Sequence, residues 1–181
     1  MANRRQENSL YNKVIISNCT ASSFDEDGNF FDNNFNNLNL SSLRIAIIQS
    51  EWNSQITDLL MMSCRNYFLE VGIDDKNIIT RKVPGSMELV YASNHMLINH
   101  DVDGIVTLGC IIKGETNNFE LISQSVTDAL INLSIRHKKP VGNGIITCFN
   151  DKQATARRKK GAEAAAAVVN FFNGLTPFKL D

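Results

Sequence analysis

The chain is short of several features that mark specialised classes of protein. Its four cysteines, Cys19, Cys64, Cys110 and Cys148, lie far apart and form no CxxC pair, which argues against a zinc site and fits reduced thiols. The 18 basic and 19 acidic residues leave a net charge of −1, so no nucleic-acid partner is expected. No apolar run approaches the roughly 20 residues of a membrane span, and the polar start lacks the apolar core of a signal peptide. We therefore expect a cytoplasmic protein with no membrane partner.

Two parts of the chain differ in composition. The 181 residues, 43% of them hydrophobic, suffice for one domain with a real core. Residues 22–39, however, are rich in Asn, Asp, Ser and Phe and show little periodicity. We interpret residues 1–42 as an extended or partly disordered arm and residues 43–181 as the folded domain. We expect some of the arm's phenylalanines to dock on this subunit or on a neighbour: Phe24, Phe30, Phe31 and Phe35.

Beyond the arm, β-like and helix-like patterns alternate. Strands are predicted at 44–50, 78–83, 102–108 and 140–147, and helices at 54–71, 86–97, 119–136, 151–158 and 162–172. Ser86 is read as a helix cap, with Glu88 in the first turn. This alternation predicts an α/β fold with a parallel sheet covered on both faces. The loops that follow the strands then meet at one edge, where ligands bind in such sheets.

The stretch from Gly109 to Glu120 is the most informative of these loops. It follows an apolar strand and precedes a helix, so its backbone N–H groups and the helix N-terminus can attract an anion. Lys113, Glu115 and Thr116 can hold a phosphate there, although the same residues also suit simple helix capping. The loop has no His, and no Cys after Cys110, so it contains no strong general base.

Other strand-end residues have both a functional and a structural interpretation. Trp52, the only tryptophan, can stack on a flat heterocycle or pack on a helix start. The run from Val83 to Glu88 can present backbone groups to a ring, or it is an ordinary turn. The basic run from Arg157 to Gly161 suits an anion clamp or a solvated helix end. His95, His100 and His137 lie away from these loops, so we expect no catalytic or metal-binding role for them.

Together, five segments resemble the 6,7-dimethyl-8-ribityllumazine synthase family in order and spacing, over about residues 43–173. The segments are Arg44–Asn53, Val83–Glu88, Gly109–Thr116, Gly142–Thr147 and Lys160–Ala165. The resemblance implies a flavodoxin-like three-layer α/β/α fold with a four-stranded parallel sheet. It also implies homo-oligomers of at least five subunits that share active sites, and no cofactor or metal. The implied reaction condenses 5-amino-6-(D-ribitylamino)uracil with 3,4-dihydroxy-2-butanone 4-phosphate, giving the lumazine, phosphate and water in the penultimate step of riboflavin synthesis.

The resemblance also implies a role for individual residues. Trp52 matches the ring-stacking position, Ser86, Met87 and Glu88 match the segment that binds the ribityl chain and ring, and Cys110, Ile111 and Ile112 match the strand end along the pyrimidine. Glu115 and Thr116 match the pair at the butanone phosphate, with Lys113 and Lys160 as further support for that phosphate. Asn143 and Arg157 match positions that a neighbouring subunit contributes to the pyrimidine and to the phosphate.

Two positions depart from the family pattern. Asn118 stands where the family has a proton-transfer His, and an amide cannot exchange a proton near neutral pH. We expect a slower reaction, because a positioned acid–base group typically contributes about 10²–10⁴-fold. The chain between Arg157 and Lys160 is also shorter than is usual, in a segment that influences how pentamers pack. The alternative function is a non-catalytic pyrimidine- or flavin-binding scaffold; a generic FMN or signalling domain is disfavoured, because the first strand lacks a Ser/Thr-rich phosphate loop.

Overall fold

A computed structural model describes residues 40–174 of the chain. A 3₁₀ turn at Leu40–Ser42 leads into four strands, and five α-helices follow or separate them within the described range. The strands are β1 (Ile45–Ser50), β2 (Ile78–Val83), β3 (Gly104–Ile112) and β4 (Val141–Cys148). The helices are α1 (Ser54–Glu70), α2 (Ser86–Asn99), α3 (Asn118–His137), α4 (Asp151–Ala156) and α5 (Lys160–Gly174).

The four strands form one parallel sheet in the order β2-β1-β3-β4. This confirms the predicted α/β fold. β1 pairs with β2 on one side and with β3 on the other. The connection from β1 to β2 therefore runs towards one edge of the sheet, and the connection from β2 to β3 crosses back over β1 towards the other edge. Connections that diverge in this way open a crevice at the carboxyl ends of the central strands. The crevice between β1 and β3 is therefore the expected place for a ligand.

Helices cover both faces of the sheet. The back layer, α1 and α5, packs on a large core that includes Leu60, Phe68 and Val169, all without exposed surface. The front layer, α2 and α3, packs on a smaller core around Leu89 and Ile105. No helix within residues 40–174 is long and apolar enough to cross a membrane.

The structure corrects some predicted boundaries. β3 begins at Gly104 and continues to Ile112, so the first part of the predicted loop is strand, because residues 109–112 pair with residues 145–148 of β4. Ser86 is the first residue of α2 and not its cap; Gly85 is the N-cap residue and provides no side-chain bond. Glu88 does lie in the first turn, as predicted. Leu40 is only 5% exposed, so ordered packing begins slightly before residue 43; the rest of the predicted arm, with its phenylalanines, lies outside the described residues.

Candidate active site

An open cavity of about 500 Å³ lies at the carboxyl edge of the sheet, on the side of the front layer. Its walls come from the β1–α1 turn, the start of α2, the end of β3 and the start of α3. The lining residues are Trp52, Asn53, Pro84, Gly85, Ser86, Met87, Glu88, Cys110, Ile111, Ile112, Gly114, Thr116, Asn118, Phe119 and Ile122. Nine of the residues proposed from the sequence are in this set, so one chain brings most of the predicted site together: Trp52, Ser86, Met87, Glu88, Cys110, Ile111, Ile112, Thr116 and Asn118.

The β1–α1 turn holds Trp52 at the rim of the cavity. The Trp52 side chain is 73% exposed, so it is not packed on a helix start as the structural interpretation would have it. Its backbone N–H donates to the Pro84 carbonyl at 3.0 Å. Asn53 adopts the left-handed conformation, with φ 59°, and its Nδ2 donates to the Cys110 carbonyl at 2.9 Å. The backbone of the turn is thus tied to the ends of both neighbouring strands, and the indole ring of Trp52 is left uncovered at the rim.

The start of α2 forms a second wall, with free backbone donors. The first N–H groups of a helix have no acceptor within the helix, and Gly85 adds no side-chain cap. The same wall contains the Glu88 carboxylate, which lies close to Gly85: a Cβ built on Gly85 would be 3.0 Å from Glu88 Oε2. Gly109 lets α2 approach β3, since a Cβ there would meet Ser86 Oγ and Leu89 at 3.2 Å. This wall therefore offers donors and one carboxylate to hydroxyl and amide groups.

The end of β3 supplies an apolar wall. Ile111 and Ile112 are half-buried, and Cys110 is 2% exposed. Burial, with a smaller contribution from the Cys148 thiol, raises the pKa of Cys110 to about 12. Cys110 is therefore a neutral thiol near pH 7, and it provides no thiolate nucleophile.

Residues 113–118 form an exposed loop over the cavity mouth. Thr116 and Asn118 line the cavity, and the Asn118 N–H points to Thr116 Oγ1 at 3.4 Å. The N-cap residue of α3, Asn117, makes no side-chain capping bond, so the N–H groups of the first turn that follow Asn118 receive no acceptor from the N-cap side chain. An arrangement of this kind can bind an anion. Glu115 and Lys113 are not among the lining residues; Lys113 forms an ion pair with Glu120 instead.

The remaining predicted residues lie away from this cavity. Asn143 is exposed on β4 and pairs with Thr107, three residues before Cys110, which places it about 10 Å from the level of Cys110 along the strands. Arg157 follows α4, and its Nη1 donates to the Gln153 carbonyl at 3.0 Å. Lys160 begins α5 and pairs with Glu163 at 3.0 Å. Within one chain, none of these three side chains reaches the cavity.

Sequence reasoning did not assign several lining residues. Asn53, Pro84, Gly85 and Gly114 lie in segments already noted as strand-end loops, and that position was the available signal. Phe119 and Ile122 occupy the first turns of α3, and periodicity alone does not say which helix face meets a cavity. The three histidines lie on or after helices and do not line the cavity, as predicted. Among residues 40–174, no group of His, Cys, Asp and Glu side chains could hold a metal ion.

Comparison with known proteins gives a consistent result. The family model for 6,7-dimethyl-8-ribityllumazine synthase matches residues 42–175. A protein of that name from Polynucleobacter necessarius is 39% identical over 144 residues, covering 77% of this chain and 84% of the relative. The corresponding proteins of Porphyromonas gingivalis and Methylibium petroleiphilum are 38% and 36% identical, covering 70% and 82% of this chain and 82% and 94% of the relatives.

Proposed function

Because the chain belongs to the 6,7-dimethyl-8-ribityllumazine synthase family, we propose that its cavity condenses 5-amino-6-(D-ribitylamino)uracil with 3,4-dihydroxy-2-butanone 4-phosphate. The products are 6,7-dimethyl-8-ribityllumazine, phosphate and water, in the penultimate step of riboflavin synthesis. One observation carries the proposal: an aromatic rim, a donor-rich helix start and an anion-binding loop all open into one cavity of about 500 Å³. The three free thiols among the described residues and the lack of any CxxC pair support a reducing cytoplasm as its compartment.

The pyrimidine half of the site has a ring to stack on and a polar wall. The Trp52 ring, 73% exposed, can cover one face of the pyrimidine. Such stacking contributes about 0.5–1.5 kcal/mol of binding free energy beyond that of burying the apolar area. The N–H groups of Ser86 and Met87 can donate to the ring carbonyls or the ribityl hydroxyls, and Glu88 can accept from those hydroxyls. Ile111 and Ile112 close the apolar side along the ring.

The phosphate half of the site is the loop of residues 113–118. Thr116 and the first N–H groups of α3 offer donors to a phosphate at the positive end of the helix dipole. However, the only charged side chain among the residues that line the cavity is Glu88, which is an acid. A dianionic phosphate needs a cation nearby, so one chain holds an incomplete site.

We infer that a neighbouring copy completes the site with Arg157 and Asn143. Arg157 is exposed beside the α4–α5 junction, and its guanidinium suits bidentate phosphate binding. Asn143 lies exposed on the edge strand β4, where a neighbour can approach. The front layer also presents large apolar side chains that are each more than half exposed, as expected for a contact between copies: Met87, Tyr91, Ile98, Leu121, Ile131 and Ile135.

The assembly that we propose is the pentamer that the family resemblance implies. The turn from Arg157 to Lys160 is short and held tightly: Lys160 N donates to the Arg157 carbonyl at 2.9 Å, and Ser63 Oγ donates to the Arg158 carbonyl at 3.0 Å. This short segment favours pentamers that do not close into a shell. Mass measurement of the intact particle distinguishes a pentamer from a decamer or a 60-subunit shell.

Proton transfer is the weak part of the site. The 5-amino group of the pyrimidine attacks the butanone carbonyl, and a first water leaves as the imine forms. Phosphate is then eliminated, and attack of the ribitylamino nitrogen on the resulting carbonyl closes the second ring and releases a second water. Asn118 lines the cavity at the position where the family resemblance implies a proton-transfer His, but its amide can only hydrogen-bond. The titratable lining side chains are Glu88 and the neutral thiol of Cys110. We propose that water carries the protons and that proximity of the two substrates supplies most of the rate.

The full-length chain, mixed with both substrates, tests the function directly. Lumazine absorbance should rise faster than in a mixture without protein. The matched control is Thr116→Trp, which places a bulky ring in the exposed loop at the cavity and should remove the excess rate. A wild-type rate equal to the uncatalysed one would exclude the enzyme.

Asn118 favours one alternative function. A scaffold that binds a pyrimidine or a flavin needs the ring wall and the phosphate loop, but it needs no proton carrier. Calorimetric titration with a ribityl-pyrimidine would show binding in both cases, whereas only an enzyme gains turnover when Asn118 becomes His. Binding without turnover in both proteins would support the scaffold.

A further inference from the structure

The side chain of Lys113 lies outside the cavity in a small cluster of its own. Its Nζ bonds to a Glu120 carboxylate oxygen and lies 5.7 Å from the ring centre of Phe119 and 5.9 Å from that of Phe149. The two rings stack with their centres 6.1 Å apart and their planes 26° apart. The carboxylate and the two aromatic rings already stabilise the Lys113 ammonium group. Binding a substrate phosphate would require Lys113 to give up these contacts.

The cluster joins three segments of the chain. Lys113 follows the last residue of β3, and its N–H donates to the Cys148 carbonyl at 2.9 Å. Phe119 and Glu120 belong to the first turn of α3. Phe149 is held by the start of α4, where its N–H donates to Gln153 Oε1 at 2.9 Å. The backbone of Phe149 is therefore held in place, and its exposed ring contacts side chains at both ends of the 113–118 loop.

The loop between these ends has few restraints of its own. All the side chains from Lys113 to Asn118 are exposed. Hydrogen bonds in its second half include those from the Asn118 N–H to Thr116 Oγ1, at 3.4 Å, and from the Leu121 N–H to the Asn117 carbonyl, at 3.2 Å. The position of Thr116 over the cavity therefore depends on how firmly the two ends of the loop are held.

We propose that Lys113, Phe149, Phe119 and Glu120 form a clamp that positions the phosphate-binding loop, with Lys113 and Phe149 as positioning residues and not phosphate ligands. The proposal rests on the function proposed above. From the sequence we expected Lys113 to support the phosphate directly. The clamp gives Lys113 an indirect role instead. A loop held in its binding conformation loses less freedom when the phosphate enters, so the clamp favours binding of that substrate.

The Glu120 carboxylate supports this assignment. Its hydrogen bond from Lys113 lowers the pKa of Glu120 below the ordinary value. Glu120 therefore stays ionised through the neutral range and keeps the lysine charge compensated at the clamp. Arg at position 113 would preserve this arrangement, because a guanidinium both pairs with a carboxylate and stacks on aromatic rings.

Steady-state kinetics of Phe149→Ala and Lys113→Met test the clamp. Each variant should raise KM for the butanone phosphate by about twofold to fivefold, the size expected from losing a cation–ring contact at an exposed site. The KM for the pyrimidine should stay as in the wild type. The double variant should be little worse than either single one, since both remove the same cluster. Phe149→Tyr and Lys113→Arg should stay close to wild type.

Hydrogen exchange and a distant control complete the test. Amides 114–118 should exchange faster in Phe149→Ala, whereas Phe171→Ala, in the back layer, should change neither exchange nor KM. If the wild-type protein forms lumazine but Phe149→Ala and Lys113→Met keep its KM for the butanone phosphate, the clamp is wrong and the proposed function still stands. A wild-type protein without lumazine activity would instead refute the proposed function. A smaller particle for Phe149→Ala would overturn the clamp by assigning Phe149 to contacts between copies.

Discussion

The two helical layers differ in how much of their surface is already covered. Behind the sheet, most apolar side chains of α1 and α5 pack against one another and the strands, with Leu60 and Phe68 wholly buried and, of the large ones, only Met62 more than half exposed. The backbones approach so closely that a Cβ on Gly161 would lie 2.1 Å from the Leu60 carbonyl oxygen. In front of the sheet, α2 and α3 leave a cavity at one end and a row of exposed apolar side chains along their outer faces.

This difference separates the tasks of the two layers. The back layer is complete within one chain, so it contributes mainly to folding stability. The front layer leaves a cavity and apolar surface uncovered in one chain, and we expect substrates and neighbouring copies to cover them. Changes behind the sheet should therefore affect stability without altering catalysis, and changes in front should affect catalysis or assembly without unfolding the chain.

The largest effect is expected in the front layer, for Asn118→His. Placing an acid–base group at the proposed proton-transfer position should raise kcat by about 10²–10⁴-fold if chemistry limits the rate. Stopped-flow absorbance of the lumazine measures this. Asn118→Gln is the matched control, because it keeps an amide and should give no gain. An unchanged rate for the His variant would show that proton transfer at residue 118 is not what limits turnover.

Phe68→Ala should have the largest effect behind the sheet. Phe68 has no exposed surface, and removing such a ring typically costs about 3–5 kcal/mol of unfolding free energy. Chemical denaturation measures the loss. Phe68 lies near the end of α1, at the edge of the sheet opposite the cavity, so the folded fraction should keep the wild-type KM for both substrates. A changed KM in Phe68→Ala would contradict the separation of tasks between the two layers.

Arg157→Ala tests whether a neighbour supplies the missing cation. Losing hydrogen bonds to a charged group typically costs about 1.5–3 kcal/mol, so kcat/KM for the butanone phosphate should fall by roughly 10–150-fold. Arg157→Lys should recover part of the loss, because Lys keeps the charge but not the bidentate geometry. Wild-type kinetics in Arg157→Ala would exclude the residue from the site.

The smallest effect on stability is expected for Ile135→Lys. The Ile135 side chain is 71% exposed on α3, and a surface substitution usually changes the unfolding free energy by less than about 0.5 kcal/mol. A charge there should nevertheless weaken contacts between copies, which native mass spectrometry or sedimentation would record as smaller particles. Leu69→Lys, on the exposed side of α1, is the control that should leave the particle intact. If both variants form particles of wild-type size, Ile135 does not lie in the contact between copies.

Local pattern predicted most of the fold, and it failed where tertiary contacts decide. β2 was predicted at its observed bounds. β3 was ended too early, because Gly109 looks like a turn residue, whereas here it stays in the strand and lets α2 pack close. Ser86 looks like a cap, yet the helix starts one residue after Gly85. Hydrogen bonding to β4 and packing on α2 set these details, and a single local segment does not encode them.

The candidate site shows the same division. Trp52 and the Ser86–Glu88 segment were identified from position and resemblance, and both line the cavity. The outward turn of Lys113 could not be read from the sequence, because it depends on Phe149, which lies far along the chain. A resemblance transfers the type of residue at a position, but the direction of its side chain comes from the surrounding packing.

Complementation between two impaired variants tests the shared site most directly. Thr116→Trp blocks the cavity but keeps Arg157, and Arg157→Ala keeps the cavity but lacks the cation. When the two chains are unfolded together and reassembled in equal amounts, about a quarter of the sites in a ring should pair an intact cavity with an intact Arg157. Lumazine formation should then recover to about that fraction of the wild-type rate. Activity no higher than the mean of the two variants alone would contradict a site shared between copies.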